Sequence, residues 1–327
     1  MRGVESGLIF LLYGAARVLG APLLLIYFLI RGYRDSNYFR SFVERLGTLP
    51  ASFKRTAPGG IWLHAVSVGE VISSVRLLEQ LRKRSPETPI FLSTSTLAGR
   101  AVAEQKLGSL VDGVFYAPLD YTFAVRRVLR RIRPAVVVIL ETEIWPVLFR
   151  EVKRAQCGLI VLNGRISDRT AQRYRSMRWI FRSVLRLPDA IYTQTERDRL
   201  RYIDAGAMPE TVRVGGNLKY DAAKTDARPP SLVSGLVEQL RPSLVWIAAS
   251  TMPGLSAGDV DEDDVVLDTW LALAPAMPGM LLILAPRRPE RFAAAQQKLR
   301  ERQIPFVTRS EDRLPPELSI PCVLLLD

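Results

Sequence analysis

Short apolar runs alternate with amphipathic stretches of helical periodicity from Gly59 onward. Buried parallel strands have this continuous apolar character, and each needs a helical crossover before the next strand. The alternation therefore predicts βα units, a parallel sheet and right-handed connections in a Rossmann-like domain. The predicted strands lie at residues 61–65, 89–93, 113–116, 135–140, 158–162, 189–193 and 211–214. The predicted helices lie near residues 70–84, 97–107, 121–132, 145–155, 168–186 and 195–204.

A second α/β pattern follows a polar, proline-containing stretch that ends at Pro230. A doubly wound domain ordinarily holds more βα units than this pattern supplies, so we expect the second domain to be incomplete. Its predicted helices and strands lie at residues 231–240, 243–248, 262–274, 280–284, 289–302 and 322–326. The predicted domains are residues 1–32, 33–222 and 223–327. The acidic stretch 255–264 lacks the spacing of a calcium loop, and we interpret it as a solvated insertion.

Residues 8–30 are almost continuously apolar. As a helix they span about 34 Å, which is enough to cross a bilayer. Arg17 and Pro22 weaken that prediction, so a retained N-terminal anchor that either spans or half-inserts is expected. Arginines at positions 31, 34, 40 and 45 follow the apolar run, and the positive-inside rule then places the rest of the chain in the cytoplasm.

The net charge of +12, carried mostly by arginine, indicates an anionic partner. Arg175, Arg178, Arg182 and Arg186 share one face of the predicted helix 168–186; this face is either solvated or attracted to anionic lipid headgroups, and we favour the lipid. A second arginine cluster at residues 126–133 is predicted to be an exposed helix end, and the alternative is that it also faces the membrane. No helix-turn-helix or aromatic-interleaved pattern accompanies the charge, which argues against nucleic acid.

The two cysteines and the single histidine exclude several chemistries. Cys157 and Cys322 are far apart in sequence, and His64 is the only histidine, so neither a disulfide framework nor a Cys/His metal site is predicted. The sequence contains no G-x-G-x-x-G or Walker loop, which argues against dehydrogenases and P-loop enzymes.

Glu70 is the first candidate catalytic residue. The strand at 61–65 is followed by Ser67 and Gly69, which turn the chain into a helix that begins near Glu70. The helix dipole is expected to keep this carboxylate ionised, and at the carboxyl end of a strand it would accept a proton from an attacking hydroxyl. The alternative is that Glu70 only supports the start of its helix.

Other polar residues follow later strands of the first domain. Glu141 and Glu143 come directly after the strand 135–140, where they either line the crevice or cap the helix that begins with Pro146. Asn163 and Arg165 end the next strand, and Arg165 is expected to point into the same crevice.

In the second domain, Ser250 and Thr251 follow a predicted strand, where small hydroxyl residues and free backbone N–H groups hold phosphate. Arg287 follows the strand 280–284 and is placed to pair with phosphate bidentately. Arg288 and Arg291 are interpreted as surface charge.

Nine short segments and the apolar N-terminus, in this order along nearly the whole chain, resemble the Kdo (3-deoxy-D-manno-octulosonate) transferases of lipopolysaccharide assembly. The segments are ERLG (44–47), HAVSVGE (64–70), STST (93–96), PLD (118–120), ETEIWP (141–146), NGR (163–165), GNLK (216–219), AST (249–251) and APR (285–287).

The resemblance implies an α/β fold of the GT-B type, with two Rossmann-like domains and an N-terminal membrane-anchor helix. It implies inverting, metal-independent transfer of Kdo from CMP-Kdo to a lipid A precursor at the cytoplasmic face of the bacterial inner membrane, without a cofactor. It assigns Glu70 as general base and requires an acid at Glu141 or Glu143. The substrate-binding residues predicted on this basis are Ser67, Gly69, Asn163, Arg165, Lys219, Ser250, Thr251 and Arg287, the last in the CMP-binding region.

The chain departs from the family at three points. Arg288 stands where the family usually has histidine, the acidic stretch 255–264 replaces a tighter glutamate-bearing loop, and the family continues beyond Asp327 with a donor-binding stretch. We therefore expect residues 1–327 alone to bind CMP-Kdo poorly and to show little turnover. The alternatives are a GT-B enzyme that transfers from a UDP-sugar to a lipid, and a catalytically silent membrane-associated protein.

Overall fold

The structure is a computed structural model, and it describes residues 2–34, 37–50, 53, 58–221, 231–254, 256, 258–311, 315 and 318–327. The chain forms two compact units that divide between residues 224 and 225. The boundary predicted at 222/223 falls in the stretch 222–230, which lies outside the described residues.

The first unit begins with two helices, α1 (Arg2–Arg34) and α2 (Asn37–Arg45). The strands that follow are β1 (Gly60–His64), β2 (Ile90–Thr94), β3 (Gly113–Tyr116), β4 (Pro134–Leu140), β5 (Gly158–Gly164), β6 (Ala190–Thr193) and β7 (Val212–Val214). The helices between and after them are α3 (Val68–Ser73), α4 (Val75–Arg84), α5 (Leu97–Leu107), α6 (Thr122–Ile132), α7 (Pro146–Arg154), α8 (Asp168–Ser176), α9 (Arg178–Leu185), α10 (Glu196–Ala205) and α11 (Leu218–Asp221). The seven predicted strands are confirmed to within two residues at each end.

All seven strands run parallel in one sheet of order β3-β2-β1-β4-β5-β6-β7. The strand order reverses between β1 and β4, which pair directly. Helices on either side of such a reversal leave the sheet on opposite faces, so a crevice opens at the carboxyl ends of these two strands. Residues that follow β1 and β4 are therefore placed at the position where ligands bind in open α/β sheets.

The sheet is buried on both faces because successive side chains point to opposite sides. Trp62 and Val137 pack on the face covered by α6, α7, α9 and α10, whereas Leu63 and Val138 pack on the other face, with side chains from α3, α4 and α5. This double burial explains the continuous apolar runs from which the strands were predicted.

Two predicted helices are each broken in two. The stretch 70–84 is divided at Ser74, whose side-chain hydroxyl donates to the Val71 carbonyl at 2.8 Å, a local bond that competes with regular helix. The stretch 168–186 is divided at Met177, so the arginines predicted to share one helical face lie on two helices. That part of the prediction was wrong, and Arg175 instead pairs with Asp204 at 2.8 Å.

The second unit holds a parallel sheet of order β10-β11-β9-β8 in its described residues. Its elements are α12 (Ser231–Leu240), β8 (Leu244–Thr251), α13 (Glu262–Leu273), β9 (Met280–Pro286), α14 (Phe292–Glu301), β10 (Phe306–Thr308) and β11 (Cys322–Leu325). The short strand β10 has no counterpart among the predicted elements, because three residues are too few to show a period.

The prediction of a solvated acidic insertion was wrong for its last residues. Asp261 caps α13, and Asp263 in the first turn is fully buried. Both carboxylates pair with Arg291, at 2.6 Å in the case of Asp261. Arg291 is therefore not simple surface charge; its guanidinium joins the start of α13 to the turn before α14.

Helix α1 contains a stretch, Ile9–Tyr33, that is long and apolar enough to cross a membrane by length and composition. Most of its large apolar side chains are exposed, namely those of Leu11, Leu12, Val18, Leu19, Leu23, Leu25, Ile26, Tyr27, Leu29, Ile30 and Tyr33.

Candidate active site

Three acids meet at the strand-order reversal. Glu70 lies in the first turn of α3, just after β1, and Glu141 and Glu143 lie in the loop between β4 and α7. The charges of Glu143 and Glu141 both act on the Glu70 carboxyl, so the three side chains share one environment. The sequence-based expectation that these acids share one crevice rests on parallel strands ending at the same edge, and the structure places them accordingly.

The Glu70 carboxylate folds back onto the loop that carries it. It accepts hydrogen bonds from the Val66 backbone N–H at 2.8 Å and the Ser67 hydroxyl at 2.9 Å. Ser67 in turn is the N-cap of α3 and accepts from the Glu70 backbone N–H at 3.4 Å. Glu70 is only 6% exposed, so its carboxylate is largely shielded from solvent. In this state the bonds it makes are those of a residue that supports its helix start.

The helix dipole alone predicts that Glu70 stays ionised, and this prediction was wrong because the pKa of the carboxyl is raised. Its pKa is raised from 4.5 to about 7, chiefly by burial and in smaller part by the neighbouring Glu143 and Glu141 carboxylates, against the two hydrogen-bond donors that lower it. Desolvation outweighs the dipole because the buried carboxylate loses most of the water that would stabilise its charge. A pKa close to neutrality is the range in which a carboxylate both accepts and returns a proton efficiently.

Glu141 and Glu143 do not cap α7, contrary to the capping alternative. The first-turn N–H groups of Val147 and Leu148 donate to the Asp120 carboxylate at 3.0 and 2.7 Å. Asp120 reaches them from the loop that follows β3, so both glutamates are free for other contacts.

The two glutamates have different partners. Glu141 forms an ion pair with Lys219 at 3.3 Å, and its backbone has a φ of 56°, a conformation that a non-glycine residue seldom adopts. Glu143 accepts a hydrogen bond from the indole N–H of Trp145 at 2.7 Å, and burial raises its pKa. One acid is thus balanced by a cation and the other by a neutral donor.

His64 packs against Trp145 in the interior of the first unit. It is fully buried at the end of β1, where burial lowers its pKa to about 4, so the imidazole is neutral at physiological pH. Its Nδ1 lies 2.8 Å from the Ser93 hydroxyl, and its ring meets the Trp145 ring edge-on at 5.4 Å between centroids. The Trp145 indole that binds Glu143 is therefore packed against the neutral His64 imidazole.

Asn163 ties the segment 216–219 to the site. It is buried with a φ of 60°, and its Oδ1 accepts from the Leu218 backbone N–H at 3.1 Å, while its Nδ2 has no partner in the described part of the chain. This bond brings Lys219 to Glu141. Arg165 is exposed, and its carbonyl accepts from the Thr142 hydroxyl.

Gly69 lies in the open first turn of α3. A Cβ at this position would meet only the Ser67 hydroxyl, at 3.9 Å, so packing does not require glycine here. The bare backbone between Ser67 and Glu70 leaves room for a ligand to approach.

The predicted phosphate-binding residues of the second unit also lie together, at the carboxyl ends of β8 and β9. Ser250 and Thr251 lie inside β8, which extends to Thr251 rather than ending at residue 248 as predicted, and Ser250 has a φ of 64° at a register shift. The Arg287 backbone N–H donates to the Thr251 carbonyl at 3.1 Å, and the Arg287 side chain is exposed just past β9. Among the described residues, the buried Thr251 hydroxyl has no partner.

In the portion of the chain that the structure describes, no group of three or more His, Cys, Asp or Glu side chains is arranged to hold a metal ion. The three glutamates at the reversal are engaged by Val66, Lys219 and Trp145 instead.

Sequence reasoning missed the roles of Asp120, Trp145 and His64. PLD (118–120) attracted attention only through the resemblance, because a cap supplied from a loop on another strand leaves no local spacing signal. Trp145 and His64 both lie in segments that carry the resemblance, but neither was predicted to be a site residue.

A family model and several curated relatives identify one family. Residues 40–222 match the family described as 3-Deoxy-D-manno-octulosonic-acid transferase (kdotransferase). The 3-deoxy-D-manno-octulosonic acid transferase of Haemophilus influenzae is 31% identical, over 93% of this chain and 69% of the relative. The Bordetella pertussis protein of the same name is 29% identical, over 89% of this chain and 67% of the relative. That of Rickettsia felis is 27% identical, over 82% of this chain and 54% of the relative.

A solved structure agrees at the level of fold. The UDP-GlcNAc 2-epimerase from Neisseria meningitidis, bound to UDP-GlcNAc, superposes with a TM-score of 0.52 and 12% identity, over 82% of this chain and 72% of that chain. At this identity the likeness establishes the fold, which is of the GT-B type, and carries nothing about the reaction. The family match and the relative from Haemophilus influenzae settle the remaining question: the chain belongs to the 3-deoxy-D-manno-octulosonic acid (Kdo) transferase family of glycosyltransferases.

Proposed function

We propose that this protein transfers Kdo from CMP-Kdo to a hydroxyl of a lipid A precursor, with inversion and without a metal ion. The observation that carries the proposal is the meeting of Glu70, Glu141 and Glu143 at the strand-order reversal, with the pKa of Glu70 raised to about 7. A site built from acids at this edge suits a reaction that begins by removing a proton from an alcohol.

Glu70 is proposed as the base. The acceptor hydroxyl takes the place of the Ser67 hydroxyl beside Oε1, and its proton passes to the Glu70 carboxylate as its oxygen attacks the anomeric carbon. The new C–O bond forms as the bond to the CMP phosphate breaks, and CMP leaves with the electron pair. A single displacement of this kind inverts the anomeric carbon.

Glu141, Glu143 and Lys219 are proposed to position the acceptor. The ion pair at 3.3 Å holds Lys219 over Glu141, and the Trp145 indole fixes Glu143. Arg165 and the Nδ2 of Asn163, which has no partner among the described residues, are proposed as further donors for acceptor oxygens.

Ser250, Thr251 and Arg287 are proposed to bind the donor phosphate. They meet at the carboxyl ends of β8 and β9, and Arg287 has a fork of donors that fits phosphate oxygens. Charge that develops on the leaving CMP is then met by Arg287 and by backbone N–H groups, so the reaction needs neither a leaving-group acid nor a metal.

The site of action is proposed to be the cytoplasmic face of the bacterial inner membrane. The apolar helix α1 and the net charge of +12 support a protein that works on a lipid-borne acceptor at an anionic surface.

The test compares donors and variants under single-turnover conditions, so that slow transfer is measurable. Purified protein is incubated with a lipid A precursor and either CMP-Kdo or a UDP-sugar. We expect product only with CMP-Kdo and a loss of about 10²–10⁴-fold in rate for Glu70→Gln, since that is the usual contribution of a general base. The matched control is Glu79→Gln, which removes a carboxylate that pairs with Arg76 on α4.

Transfer from a UDP-sugar in place of CMP-Kdo would replace the proposed donor. An undiminished rate in Glu70→Gln would exclude Glu70 as the base. Glu143, whose pKa is also raised by burial, would then be the next candidate for that role.

A further inference from the structure

Helix α1 is fastened to the rest of its unit near both ends of its apolar stretch. Towards the N-terminus, the Tyr13 hydroxyl donates to the Asp120 carboxylate at 2.9 Å, and the Arg150 guanidinium lies 4.6 Å from the centre of the Phe10 ring. Towards the other end, the buried Phe28 ring packs on Phe42 at 5.1 Å and lies 5.7 Å from the Arg45 guanidinium.

These attachments extend over nearly the thickness of a bilayer core. A helix rises about 27 Å between Phe10 and Phe28, and the hydrocarbon core is about 30 Å thick. If this stretch crossed the bilayer as it is docked here, Asp120, Arg150 and Arg45 would lie in the hydrocarbon beside it. Ionised groups at that depth are costly, so crossing is incompatible with the docked arrangement.

Asp120 and Arg45, which contact α1 near its two ends, both lie at one edge of the first sheet. Asp120 lies in the loop after β3, and Arg45 lies 4.8 Å from the ring of Tyr116, the last residue of β3. Arg45 also donates to the carbonyl of Ser95, directly after β2, at 2.7 Å. Helix α1 therefore runs along the carboxyl edge of the sheet, which is the edge that holds the three glutamates.

The face of α1 turned away from the sheet is apolar. Arg17 is the only charged residue between Ile9 and Ile30, and its guanidinium lies between the rings of Tyr13 and Tyr121, at 4.7 and 5.0 Å. The Tyr121 hydroxyl also donates to the Arg17 carbonyl at 3.0 Å. The single charge is thus drawn to the protein side, and the exposed side is left to leucine and isoleucine.

The neighbouring surface is suited to anionic headgroups. Helix α9 packs beside α1 and exposes Arg178, Arg182 and the indole of Trp179, which is 59% exposed. Exposed tryptophan and arginine beside an apolar face are typical of helices that lie in the membrane interface.

We propose that α1 lies in the plane of the membrane, with its exposed apolar face in one leaflet that contains anionic phospholipid, and that it thereby turns the carboxyl edge of the first sheet towards the headgroups. The inference rests on the membrane location in the proposed function but not on the transfer reaction. It specifies how the first unit is oriented on the membrane, because a hydroxyl carried by a lipid would then reach the three glutamates at the depth of the headgroups.

The test measures depth along α1 in the full chain bound to vesicles of phosphatidylglycerol and phosphatidylethanolamine. Single cysteines at Leu12, Leu19, Ile26 and Ile30, which are exposed on one side of the helix, receive a nitroxide label. Cys157 and Cys322 are buried and burial raises the pKa of each thiol, so the unsubstituted chain serves as the labelling control. Glu87→Cys, exposed in the turn that leads to the amino end of β2, is the matched control on the opposite edge.

An in-plane helix places all four labels at one shallow depth, within the acyl region of a single leaflet, and leaves the label at position 87 in water. A spanning helix instead places Leu12 and Ile30 at opposite interfaces with Leu19 near the bilayer centre, and that profile would overturn the proposal. Labels that all remain in water would overturn it equally. Equal shallow depths in a protein without transfer activity would count against the proposed function and leave this inference standing.

Discussion

Replacing Glu70 with glutamine should separate the stability of the protein from its activity. The raised pKa means that the folded protein holds this proton more tightly than the unfolded chain does. Stability from Glu70 is therefore fully present below pH 4.5 and is lost as the pH rises towards 7. At 1.36 kcal/mol per pKa unit, the loss amounts to about 3 kcal/mol.

Glutamine stays neutral across this range, so Glu70→Gln should remove that part of the pH dependence. One of the two bonds to the Val66 N–H and the Ser67 hydroxyl is lost, at a cost of about 1 kcal/mol. We therefore expect the variant to be about as stable as the wild type, or up to about 1 kcal/mol less so, at pH 4.5, and about 2 kcal/mol more stable at pH 8.

Urea unfolding of both proteins at four pH values, followed by tryptophan fluorescence, measures the difference in the free energy of unfolding. Glu79→Gln is the control, because Glu79 lies in an exposed ion pair. The same pH slope in Glu70→Gln and the wild type would refute the raised pKa. The wild-type rate of transfer should meanwhile rise with pH through about 7 as Glu70 becomes a free base.

Three further predictions concern single residues. Gly69→Ala should raise the melting temperature, since alanine stabilises an open helical position by up to about 1 kcal/mol, while the methyl group obstructs the ligand and raises the acceptor KM in steady-state assays. Asp120→Ala should lower the unfolding free energy in urea by about 2–3 kcal/mol, because two N–H groups of α7 and the Tyr13 hydroxyl lose their acceptor. Arg287→Lys should raise the donor KM about tenfold with little change in kcat, because a single ammonium replaces a bidentate fork; an unchanged KM would exclude Arg287 from donor binding.

The strands were predictable because strands that are buried on both faces of a parallel sheet appear in the sequence as continuous apolar runs. The shared edge of Glu70, Glu141 and Glu143 was predictable because parallel strands end at the same edge of a sheet. The position of the strand-order reversal, between β1 and β4, was not predicted, because right-handed crossovers are compatible with several strand orders. The breaks at Ser74 and Met177 were not predictable, since the apolar period continues across both positions.

The protonation and partners of the site residues were beyond sequence reasoning. Glu70 was expected to be ionised because the helix dipole is a local effect, whereas the burial that raises its pKa depends on how segments distant in sequence pack around it. The cap of α7 is an aspartate 27 residues before Val147, and the partners of Arg291 precede it by 28 and 30 residues. No local pattern reports contacts of that range.

The position of Asp120 also bears on how such a protein is handled. An obvious way to obtain material free of detergent is to remove the apolar N-terminal helix, and that cut also removes the Tyr13 hydroxyl and uncovers the carboxylate that holds Val147 and Leu148. Water would then compete for the same oxygens, and the loop that carries Glu143 and Trp145 would lose its firm end. A shortened, soluble version would therefore show a lower activity than the full chain. The cause would be a structural defect far from the missing helix in sequence, so adding lipid would not restore the activity.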